Sequence, residues 1–109
     1  MESLHAFLTK QAALCKERAA DLTADDRRDE AVFEKIRANV FEIFRSVLHT
    51  AQKQPEPMAF FHRQLAAIPA NWEAALEKAY AHGDEARAHT EAVKLEAVRS
   101  IRENMEVGV

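Results

Sequence analysis

Glycine and proline are nearly missing from this chain, with two glycines and three prolines in 109 residues. An all-β domain needs many tight turns and cannot be built with so few turn formers. The same scarcity excludes glycine-rich catalytic loops: no GxGxxG, GxxxxGK(S/T) or GxSxG occurs, so there is neither a phosphate cradle nor a nucleophile elbow. A single cysteine, Cys15, excludes an intramolecular disulfide and fits a reducing compartment. No apolar run approaches the ~20 residues that span a bilayer. The opening segment "MESLHAFLTKQAALCKERA" has neither the basic n-region nor the continuous apolar h-region of a signal peptide. These absences together predict a cytoplasmic protein that does not enter a membrane. A basic excess is missing too. Net charge is −3, and Lys and Arg alternate with Asp and Glu throughout, so the footprint of a nucleic-acid binder is not there.

What remains is an ordinary soluble balance, 48% hydrophobic and 30% charged, in a length that suits one domain over residues 1–109 with its own core. Hydrophobic periodicity predicts an all-α fold of about five helices. The first runs from about Ser3 to Leu22, with Leu4, Leu8, Cys15, Ala19 and Leu22 on one face. "TADDRRDE" follows as a turn and helix start, where Asp25 or Asp26 suits an N-cap and Asp29 and Glu30 suit the positive end of a helix dipole. The second helix, about Arg28 to Gln52, carries Phe33, Ile36, Val40, Ile43 and Val47 by steps of three and four, widened by Val32, Phe41, Phe44 and Leu48. Its apolar arc covers roughly half the circumference. So wide a face predicts more than one packing neighbour and a central place in the fold.

Pro55 and Pro57 end that helix and suit the first turn of the next. A short third helix, about Pro57 to Ala67, has Met58, Phe61, Leu65 and Ile68 on its inner face and Phe60 well off it. Pro69 then divides the chain, since the residue before a proline avoids helical geometry. A fourth helix starts near Pro69 to Asn71 and ends near His82, with Trp72, Ala75, Leu76 and Ala79 as its apolar face and Tyr80 on the margin. Gly83 suits a left-handed C′ position and Asp84 an N-cap. The fifth helix, about Glu85 to Glu106, shows one stripe of Ala88, Leu95, Val98, Ile101 and Met105, and a second side of Ala86, Val93 and Ala97. The expected architecture is two antiparallel helical hairpins around the central second helix.

The stretch "NWEAALEKAYAHGDEARAH" places Trp72, Tyr80, Gly83, Asp84 and Ala88 at spacings that resemble one tetratricopeptide-repeat hairpin over residues 71–98. The resemblance implies two antiparallel helices held close by small residues and reversed at Gly-Asp, with peptide binding as the function such repeats serve when stacked. The pattern departs at Leu95, where a small residue would be expected, and no proline ends the second helix. No second copy follows at the period of about 34 residues, and a solenoid needs about three. Both a degenerate repeat hairpin and an unrelated hairpin with the same turn chemistry remain open.

Chemistry is sparse. The five histidines, His5, His49, His62, His82 and His89, include no pair three or four apart, as helical metal ligands require. No metal or cofactor is expected. Cys15 lies on an apolar stripe, where a thiol is buried and inert, and no catalytic residue stands out. The function that fits best is non-enzymatic protein–protein interaction or self-association, homodimer included, with Phe41, Phe60, Val93 and Ala97 as the interaction surface. The alternative is a small ligand-binding or regulatory bundle with His62, Trp72 and Tyr80 lining one pocket between the third and fourth helices.

Overall fold

A left-handed residue ends each of two helices. Asp26 (φ 59°) closes the first and Gly83 (φ 66°) the third. In each case two hydrogen bonds wrap the turn: Arg27 N–H to the Leu22 carbonyl and Asp26 N–H to Thr23, then Asp84 N–H to Ala79 and Gly83 N–H to Tyr80. Both are Schellman closures. The structure, a computed structural model, describes residues 2–107. It contains α1 (Glu2–Ala24), α2 (Arg28–Ala51), α3 (Pro57–Ala81) and α4 (Glu85–Val107), and no strand among the described residues.

The all-α expectation holds, but there are four helices, not five. Pro69 lies inside α3 and is buried there. A proline has no N–H to give the carbonyl four residues earlier, which here belongs to Leu65. Arg102 of α4 supplies the missing donor, its Nη2 lying 3.0 Å from the Leu65 oxygen. The predicted third and fourth helices are therefore one rod.

The helix ends otherwise follow local chemistry. Pro57 opens α3, and the Asp84 carboxylate accepts the Arg87 N–H at 3.1 Å as the cap of α4. The start of α2 differs from expectation. Its cap position is Arg27, with no side-chain cap hydrogen bond, because Asp26 is consumed by the closure of α1. Arg27 instead pairs with Glu30.

Successive helices run antiparallel. α1 and α2 form the most extensive pair, α3 and α4 the next, and α2 touches all three other helices. The hairpins meet along α2 and α4. Phe33 stacks on His89 with ring centroids 4.0 Å apart, and Arg37 joins Glu34 at 2.7 Å to Glu96 at 3.5 Å. The wide arc of α2 is thus distributed over three neighbours. Phe44, Leu48, Phe61, Val98 and Ile101 fill the centre, and Phe44 meets Phe61 edge to face at 6.2 Å. Among the described residues, no Cα of α1 comes within 8 Å of one in α3. These outer helices leave gaps between them, in a molecule measuring 44 × 35 × 23 Å.

Candidate functional site

The contact between α2 and α3 is slight beside that within either hairpin, and the apolar residues along it are only partly covered. On α2, Val32 is 50% exposed, while Ile36, Ile43 and Val47 are half-buried. On α3, Phe60, Gln64, Ile68 and Trp72 follow by steps of four, each half-buried, and residues so spaced share a helix stripe. Val32, Ile36, Ile43 and Trp72 line a hollow of about 360 Å³. Ile43, Val47, Phe60, Ile68 and Trp72 rest on the core from outside, which gives the face a firm base.

Cations edge this face. Lys35 and Lys94 line the hollow. The Lys94 ammonium sits 5.6 Å from the centre of the Trp72 ring, and the Arg63 guanidinium 6.0 Å from that of Phe60, both within cation–π reach. Lys94 is held by Glu91, which is only 1% exposed. Glu91 accepts from Lys94 Nζ at 3.2 Å and from Arg87 Nε at 3.0 Å. A buried carboxylate needs such partners, and the i−4 and i+3 spacing on α4 provides them.

The sequence-predicted interaction surface is only partly a surface. Phe41, Val93 and Ala97 are buried in the monomer, because α2 turns Phe41 toward α1, where it meets Phe7 edge to face at 6.2 Å. On α4, Ala88, Val98 and Ile101 of one apolar side and Val93 and Ala97 of the other are buried, while Leu95 and Met105 are half-buried and Ala86 is exposed; the chain packs α4 against α3, α2 and α1. Phe60 alone of the four stays half-buried on the α2–α3 face. The predicted pocket is not assembled. His62 lines a cleft at one end of the molecule, Trp72 lines the α2–α3 hollow, and Tyr80, 67% exposed, borders the turn before α4.

Two contributors were missed. Val32 read as a flank of the α2 stripe, although it is the most exposed large apolar residue on α2. Glu91 was not singled out by the sequence pattern, although Arg87 and Lys94 at helical spacing were the available signal. Cys15 is buried. Burial, and then the neighbouring Glu34 carboxylate, push its thiol up to about 11, so it is no nucleophile at neutral pH. No group of three or more His, Cys, Asp or Glu side chains gathers at metal-binding distance among the described residues. No helix among them is long and apolar enough to cross a membrane.

The fold and this face define an all-α domain of four antiparallel helices with a cation-edged apolar strip. No family model matches the chain, no curated protein matches it, and no solved structure matches it.

Proposed function

We propose that the chain is a non-enzymatic protein–protein interaction domain whose α2–α3 face docks an amphipathic helix with acidic flanks, a second copy of the chain being one such partner. The observation that carries this reading is Val32, half exposed beside Ile36, Ile43 and Trp72 in a hollow edged by Lys35 and Lys94. A docked helix removes these apolar groups from water, worth roughly 25 cal/mol per Å² of apolar surface, and its acids meet the lysines at the rim.

Trp72 is the only tryptophan and lies in the hollow, so its emission reports docking directly. Titration with a synthetic acidic amphipathic helix is expected to shift Trp72 emission to the blue. Val32→Asp, at an exposed site, abolishes the shift while circular dichroism stays unchanged. Sedimentation across micromolar concentrations tests the second copy as partner. A strict monomer whose Trp72 emission ignores the acidic helix would overturn the proposal.

A further inference from the structure

The molecule opens at the end where α1 and α3 begin and α4 finishes. The gap between α1 and α3 there forms a cleft of about 620 Å³, within the usual range for small-molecule sites. Its walls are mainly apolar, with Leu4 from α1, Met58 and Leu65 from α3, and Met105 from α4. Methionine side chains adapt their shape to an apolar guest. The α3 wall runs from Met58 to Ala66, about 13 Å at helical rise. That length suits a single extended chain and is short for the several turns of a docked helix.

Three nitrogen-bearing side chains share the cleft, Arg102, His62 and Asn104, and the guanidinium of Arg102 is the one that is always charged. Arg102 is already held in place by its bond to the Leu65 carbonyl. A guanidinium carries five N–H donors in a rigid fork, so this bond leaves others available. No carboxylate lies within 4.0 Å of Arg102 among the described residues, although Glu106 lines the same cleft. A guanidinium fixed beforehand at the edge of an apolar cavity loses little freedom when it pairs with a carboxylate.

We infer that this cleft binds a small amphiphile, an unbranched apolar chain ending in a carboxylate. Its tail lies among Leu4, Met58, Leu65 and Met105, and its carboxylate pairs with Arg102 beside His62. This site shares no residue with the α2–α3 hollow.

The test is calorimetric titration of the full chain with dodecanoate below its micellar concentration. Saturable one-to-one binding is expected, and its absence would overturn the proposal. Dodecanol and dodecyltrimethylammonium, which lack the carboxylate, bind at least tenfold more weakly. Equal binding by either would remove the role of Arg102. Arg102→Gln and, separately, Met58→Asp each weaken dodecanoate at least tenfold. Met58 is 37% exposed, so its replacement leaves the fold intact by circular dichroism even if loss of Arg102 does not. Unchanged affinity in folded Met58→Asp would place any binding elsewhere. Val32→Asp binds dodecanoate as the unaltered chain does, and a loss there would sink the assignment to this cleft. A short peptide with an apolar free C-terminus that binds where dodecanoate does not would reject the small amphiphile in favour of a peptide.

Discussion

The Arg102 guanidinium donates to the carbonyl of Leu65, at 3.0 Å and thirty-seven positions away in sequence, where Pro69 leaves that carbonyl without its helical donor. The bond ties the last turns of α4 to the middle of α3. Arg102→Met keeps much of the aliphatic stem but leaves the carbonyl unserved. It is expected to lower unfolding free energy by about 1–2 kcal/mol. In a Pro69→Ala background an N–H at position 69 serves the carbonyl, so the same change costs markedly less. Urea unfolding of the four proteins of this cycle measures the coupling. Additive effects would show that Arg102 does not replace the missing donor.

The two left-handed closures give opposite expectations. Asp26 holds φ 59° with a side chain, and Gly83 holds φ 66° without one. Asp26→Gly removes the strain and raises stability by roughly 0.5–1 kcal/mol, glycine's larger unfolded entropy offsetting part of the gain. Gly83→Ala meets no atom within 4 Å, so its cost is backbone strain alone, about 1–2 kcal/mol. Thermal unfolding that moves in the same direction for both would contradict the closures described.

Cys15 is expected to resist a thiol reagent at pH 7 in the native protein and to react at once in denaturant. Its thiol is raised from 9.0 to about 11 by burial first and by Glu34 second. The native state therefore keeps its proton where the unfolded chain has lost it. Stability is full below pH 9 and falls as pH rises through 9 to 11, by up to about 1.4 kcal/mol per pH unit from this group. Comparison with Cys15→Ala isolates the effect, since the variant has no thiol to titrate. Identical slopes in the two proteins over that window would exclude it.

Glu91 is buried between Arg87 and Lys94. Glu91→Gln removes the charge that both cations face. Loss of one partner from a fully buried pair is costly, but the Arg87 and Lys94 side chains are 59% and 26% exposed and regain water. The expected loss is therefore only about 1–2 kcal/mol. Lys94, no longer held by Glu91, also shifts against the Trp72 ring. A change in Trp72 emission should accompany the lower denaturation midpoint, and an emission spectrum identical to the unaltered chain's would argue against the Lys94–Trp72 contact.

Much of the fold was legible because its signals are local. The α2 stripe, the start at Pro57, the Gly83–Asp84 reversal and the burial of Cys15 each depend on residues within a turn or two. The candidate site was less legible. Phe41 lies at the edge of its arc and Phe60 well off its stripe, and periodicity alone cannot tell an apolar residue covered by a neighbour from one left open. α1 covers Phe41, while the slight α2–α3 contact leaves Phe60 half bare. His62, Trp72 and Tyr80 lie on one long helix and line three separate hollows: Trp72 faces another side of the helix, while His62 and Tyr80 share a side but stand five turns, about 27 Å, apart along it.

The sequence by itself determined an all-α chain, its reversals between α1 and α2, α2 and α3, and at Gly83–Asp84, and the absence of glycine-rich phosphate and nucleophile motifs, because glycine, proline and helical periodicity act over short distances. The tertiary structure decided that α3 runs unbroken through Pro69, because the donor that makes this tolerable comes from Arg102 on another helix. It also decided which apolar edges stay open, because that depends on α1 and α3 standing apart while α2 and α4 meet. Burial of a charge at Glu91 and exposure of an apolar side chain at Val32 follow from the same packing, which no local pattern encodes.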